Sequence, residues 1–98
     1  MNYNRNTKSV SIHIFASGRV QGVGFRYYVN IQAKQLGVTG FVRNTYDGRL
    51  EVLAEGSRSD LESLEQAIQK GPELALVTEI DVQWIPPTYR YAGFYIQA

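Results

Sequence analysis

The dipeptide Asp47-Gly48 constrains this chain more than any other feature. It separates two alternating segments, Gly40 to Tyr46 and Arg49 to Glu55, and a two-residue Asp-Gly link between such segments specifies a tight β-hairpin. In the second segment Leu50, Val52 and Ala54 fall on one face. On either side of the hairpin the hydrophobic period lengthens from two to about 3.6 residues. Before it, Phe25, Val29, Ala33 and Leu36 form a helical stripe that Gly37 closes. After it, Leu61, Leu64 and Ile68 form a second stripe, stopped by Lys70-Gly71-Pro72. The second helix is expected to start at Ser59, where Ser59-Asp60-Leu61-Glu62 reads as a capping box.

Alternation returns towards both ends. From Lys8 to Ala16, Val10, Ile12, Ile14 and Ala16 share one face, with Ser11, His13 and Phe15 on the other. From Val77 to Trp84 the pattern runs through Ile80, Val82 and Trp84, and after Pro86-Pro87 the residues Ala92, Phe94 and Ile96 mark a short last strand. The order β-α-β-β-α-β plus a terminal strand predicts an α+β fold, with two helices on one face of an antiparallel sheet. The 98 residues suffice for one domain. Residues 8–98 are assigned to it, and residues 1–7, rich in Asn and Arg, are expected to form a flexible arm. Met1 to Lys8 lacks the apolar stretch of a signal peptide, and no run approaches the roughly 20 apolar residues of a membrane span, so a cytoplasmic location is expected.

Composition narrows the chemistry. With no cysteine and only His13, thiolate catalysis, iron–sulfur clusters and multi-histidine metal sites are excluded. His13 itself reads as an inert strand residue, and Trp84 and the tyrosines read as strand residues rather than base-stacking platforms. The net charge is only +1, which argues against a general nucleic-acid binder. Its distribution is uneven: six basic side chains and no acidic one lie in residues 1–46, and all nine acidic side chains follow Tyr46. The first half is therefore suited to face an anion.

The segment Gly18-Arg19-Val20-Gln21-Gly22-Val23-Gly24-Phe25-Arg26 joins the first strand to the first helix. Its glycines permit positive φ and close approach of backbone to a ligand, and successive amides in such a turn make an anion-binding concavity. The helix N-terminus adds partial positive charge to the same space. Arg26 falls in the first helical turn, where the dipole disfavours a cation, and a bound phosphate would offset that cost. The spacing is neither a Walker loop nor a dinucleotide fingerprint, so by spacing alone a tight strand-to-helix turn remains open. Asn44 extends the side of its strand that carries Gly40 and Val42. It reads either as a turn-forming residue before Asp47-Gly48 or as an uncharged amide able to position water beside a phosphoryl group.

The run GRVQGVGFR at 18–26 closely resembles the signature loop of the acylphosphatases, and GVTGFVRN at 37–44 resembles their second motif. Asp47-Gly48, Glu55-Gly56, Gly71-Pro72 and Phe94-Tyr95-Ile96 also fall where that family has similar residues, so the resemblance runs from about residue 9 to 98. It departs at Phe41, where the family often has Trp. The resemblance implies a ferredoxin-like sandwich that hydrolyses the carboxyl–phosphate bond of a small-molecule acylphosphate. It further implies that Arg26 binds the phosphate with the backbone amides of Gln21, Gly22, Val23, Gly24 and Phe25, and that Asn44 orients the attacking water. No metal or cofactor is expected, inorganic phosphate or another anion should enter the site, and nothing demands more than a monomer. Arg19 and Arg43 are expected to attract anions at long range. Two other readings are a non-hydrolytic anion-binding module, as when this fold is joined to larger enzymes, and an RNA-binding sheet.

Overall fold

In the computed structural model, which describes residues 8–98, the alternating segments and helical stripes become seven elements. They are β1 (Val10–Arg19), α1 (Phe25–Leu36), β2 (Thr39–Asn44), β3 (Leu50–Gly56), α2 (Arg58–Lys70), β4 (Leu76–Ile85) and β5 (Phe94–Gln97). The expected arm at residues 1–7 lies outside the described residues. One five-stranded sheet has the order β4-β1-β3-β2-β5. Its first four strands pair antiparallel, whereas β5 pairs parallel with β2. With both helices against one face, this is a ferredoxin-like α+β sandwich with an added edge strand.

The helix-facing side is the core. Ile12, Ile14 and Ala16 of β1, Val42 of β2, and Leu50, Val52 and Ala54 of β3 are all fully buried. Val29 and Ala33 of α1 and Leu61, Leu64 and Ile68 of α2 complete the layer. The apolar stripes therefore predicted the buried faces, and the driving force is removal of these side chains from water. The last strand differs: Phe94 is buried, but Ile96 is 44% exposed. It pairs with the buried Val42 but lies on the outermost strand of the sheet.

Two local expectations are corrected. The cap of α2 is Ser57, not Ser59: Ser57 is extended and its Oγ accepts from the Asp60 amide at 3.1 Å, leaving Ser59 already helical. Gly18 belongs to β1, not to the loop. It sits beside a register shift against β4 with φ of 116°, and a Cβ there would stand 2.2 Å from the Leu76 carbonyl oxygen. Its role is close strand packing.

The opposite sheet face is polar and interlocked. His13 hydrogen-bonds through Nε2 to Glu51 Oε2 at 2.7 Å, and the same carboxylate receives Arg43. Phe41 packs there against Tyr91, with ring centroids 5.9 Å apart. The Phe-for-Trp departure at this position thus changes packing on the face away from the helices. On the helix-facing side, Trp84 pairs with Ile12, packs against the core and lies under Arg58 of α2 at 4.1 Å, which accounts for the lone tryptophan as a packing residue.

Glu55 anchors the connection from β4 to β5. Its carboxylate, in a residue only 5% exposed, accepts from the Thr88 amide and hydroxyl at 2.7 and 2.6 Å and from the Tyr89 amide at 2.9 Å. Burial alone would raise its pKa. The Thr88 hydroxyl and the Thr88 and Tyr89 amides outweigh it and hold the carboxyl below its ordinary 4.5. A depressed folded pKa gives stability that is complete above the unfolded value and lost as pH falls through the folded one. Glu55→Gln is expected to cost about 2 kcal/mol at pH 7, the scale of hydrogen bonds to a charged group. The gap between native and variant unfolding midpoints should close on acidification below about pH 4.5. Thermal melts across pH 3–7 test this; a gap that stays constant would remove the charge-based account.

Candidate active site

The topology brings four segments to one end of the sheet. Strand β3 runs antiparallel to both β1 and β2, so β1 and β2 point the same way, and β5 follows β2. The loop after β1, the end of β2 and the end of β5 therefore meet. Leu50, at the start of β3, lies between Ala16 and Asn44.

The loop at 20–24 is held by its flanks. Val20 and Phe25 are buried at 1% and 2% exposure, while Gly22 and Gly24 between them are exposed and left-handed, with φ of 75° and 77°. A Cβ at either glycine would meet nothing within 4 Å, so backbone conformation rather than space calls for glycine there. Gly24 is also the N-cap of α1. No side chain caps the helix and no acidic residue occupies its first turn, so its first amides keep their hydrogen-bonding capacity for a ligand.

Gln21 adds a restraint that sequence reading missed. Its backbone is in the loop, but its side-chain Nε2 donates to the Thr45 and Arg49 carbonyls at 2.9 and 3.0 Å. This ties the loop to the β2–β3 hairpin. A glutamine inside a glycine-rich turn was the available signal, although nothing local identified its distant acceptors.

One recess of about 250 Å³ brings the expected residues together. Gly22, Gly24, Phe25 and Arg26 line it from the loop and α1, and Asn44 lines it from β2. Gln21 and Val23 are in the loop but not in this lining. Three further lining residues, the buried Val20 and the exposed Tyr27 and Ile96, are not among the expected site residues. Arg26 is half-buried, and its Nη1 makes a long 3.5 Å hydrogen bond to the Gln97 carbonyl. The remaining guanidinium donors are available to an anion. Asn44 presents the complementary feature: its Oδ1 is buried and has no hydrogen-bond partner. Such an atom costs stability, and its retention calls for a reason.

Arg43 corrects one expectation. Its guanidinium is paired with Glu51, so it is not a free cation for long-range attraction. Among the described residues, no three metal-ligating side chains cluster, and no helix is long and apolar enough to cross a membrane.

The ferredoxin-like sandwich thus brings an uncapped helix N-terminus, an arginine and an asparagine side chain to one recess. The acylphosphatase family model matches residues 12–96. An acylphosphatase of Roseiflexus sp. (strain RS-1) is 45% identical over 84 residues, covering 86% of this chain and 90% of that protein. The crystal structure of acylphosphatase from Bacillus subtilis superposes with a TM-score of 0.87 at 38% identity, over 91% of this chain and 99% of that one. A structure titled as full-length HypF in the phosphate- and nucleotide-bound form gives 0.85 at 28% identity, over 98% of this chain but 13% of that one. The chain belongs to the acylphosphatase family, and is an acylphosphate hydrolase by that membership.

The Gln21 tie yields a test for this class of reaction. Gln21→Ala removes two hydrogen bonds, expected to cost about 1–2 kcal/mol of stability. With the loop no longer held against the hairpin, kcat should fall about tenfold while the chain stays folded. Steady-state kinetics with a parallel melt measure both; an unchanged kcat would make the tie purely structural.

Proposed function

We propose that this chain hydrolyses acylphosphates by direct attack of water on phosphorus. The carrying observation is the convergence of Arg26, the uncapped start of α1 and the Asn44 side chain in one recess. In this reading the amides of residues 21–25 and the Arg26 guanidinium hold the phosphoryl oxygens. A water hydrogen-bonded to the Asn44 side-chain amide is held with a lone pair aimed at phosphorus. The new P–O bond forms as the bond to the acyl oxygen breaks, and that electron pair leaves on the carboxylate. The water's proton passes to a phosphoryl oxygen, giving carboxylate and inorganic phosphate.

The scheme suits the residues present. Phosphoryl transfer has a loose transition state, so positioning and charge stabilisation dominate. A carboxylate is a good leaving group and calls for no strong general acid. No step uses a metal or cofactor. In the same reading, residues 8–98 form the catalytic unit, which acts as a monomer in the cytoplasm.

The test is hydrolysis of benzoyl phosphate in excess EDTA. The expected result is steady turnover, competitively inhibited by inorganic phosphate and unaffected by the chelator. Loss of turnover on chelation would overturn the metal-free scheme. Phosphate binding without turnover would replace it by the non-hydrolytic binding reading.

A further inference from the structure

Seven large hydrophobic side chains are exposed among the described residues, and three of them stand around Asn44. Tyr27, 66% exposed in the first turn of α1, and Ile96, 44% exposed on β5, line the same recess as Arg26 and Asn44. Tyr46, fully exposed in the hairpin, lines a neighbouring recess on which Asn44 also borders. Neither recess is lined by an aspartate or glutamate.

This placement bears on the part of the substrate that the phosphate cradle does not hold. With the phosphoryl group against the amides of the 21–25 loop, the acyl group must leave the recess past whatever else lines it. Apart from Val20, which is 1% exposed, those residues are Tyr27 and Ile96. They offer a tyrosine ring and a branched aliphatic chain, and no carboxylate to pair with a cationic acyl group. A methyl-sized acyl group covers little of that surface. An aromatic one can cover the ring and the isoleucine together, removing apolar area from water in the bound and reacting states.

We propose that Tyr27 and Ile96 are specificity-determining residues, selecting acylphosphates with an aromatic or similarly large apolar acyl group over short-chain ones. The inference rests on the hydrolytic reading of the site and deepens it. Exposed apolar side chains scattered singly need no explanation. Two from separate elements in one recess with a reactive arginine and amide are not scattered.

The test compares benzoyl phosphate with acetyl phosphate for the native chain, Tyr27→Ala, and the double variant Tyr27→Ala/Ile96→Thr. The readout is the ratio of the two kcat/KM values. Comparing that ratio between proteins cancels the different intrinsic reactivity of the two substrates. It should fall about tenfold in the double variant, equivalent to about 1.4 kcal/mol, and about threefold in Tyr27→Ala. The inhibition constant of inorganic phosphate should stay within about twofold, because the cradle is untouched. A ratio that moves less than twofold in the double variant overturns the proposal while leaving hydrolysis intact. If the double variant fails to fold, Tyr27→Ala decides alone, since alanine is a good former of an exposed helical position. A native chain that turns over neither substrate overturns the hydrolytic reading and this inference with it.

Discussion

Arg26→Ala is expected to lower kcat/KM for benzoyl phosphate by about 10³-fold, the scale on which positioned cations and oxyanion donors act in phosphoryl and acyl transfer. Both binding and rate should suffer. In the proposed mechanism the guanidinium offers a planar fork to two phosphoryl oxygens in the bound state and neutralises charge as the acyl oxygen departs. Inorganic phosphate should accordingly lose most of its inhibition. The fold has little reason to respond. Arg26 is half-buried, among the described residues it hydrogen-bonds only a carbonyl at 3.5 Å, and it occupies a helix start where the dipole opposes a cation. The unfolding midpoint should therefore stay within about 2 °C of the native value. Arg26→Lys should recover only part of the rate, because it restores charge without the fork. Unchanged phosphate inhibition in Arg26→Ala would place the anion elsewhere.

Asn44→Ala should separate rate from binding. The expected loss is about 10²–10³ in kcat, the cost of losing orientation of the attacking water. The inhibition constant of phosphate should remain within about threefold, because Arg26 and the loop amides are retained. Stability should move the other way. Asn44 carries a buried Oδ1 without a partner, and removing such an atom relieves about 1 kcal/mol of desolvation cost. A variant that is nearly dead and slightly more stable would mark Asn44 as a residue kept for chemistry at the fold's expense. Normal turnover in Asn44→Ala would leave the enzyme in place and dismiss this route for the water.

The periodicities and the Asp-Gly turn carried most of the architecture, because each reports a local event. Ile12, Ile14, Leu50, Val52, Leu61 and Leu64 are buried as their spacing required. The misses are non-local. Ser57 and Ser59 are both plausible caps by type, and the choice depends on which serine stays extended. Gly18 was read with Gly22 and Gly24 because nothing in the chain near it announces a close approach to Leu76. The alternation at Phe94 and Ile96 was visible, but not that β5 would pair parallel with β2. That pairing places Ile96 in the recess instead of the core. In the same way the loop and Asn44 were legible as candidates, whereas Gln21 as their tether depended on acceptors 24 and 28 residues away.

The position of Leu50 between Ala16 and Asn44 has a metric consequence. Because β3 is inserted between β1 and β2, the strand that launches the loop and the strand that ends in Asn44 are two inter-strand steps apart, about 9.5 Å. Direct neighbours would leave half that distance, too little for a tetrahedral anion with a water beside it, and a further intervening strand would put the amide out of range. The sheet is thus a ruler. Its hydrogen-bond spacing, which no side-chain substitution in the recess can alter, sets the opening across which the two halves of the site face each other.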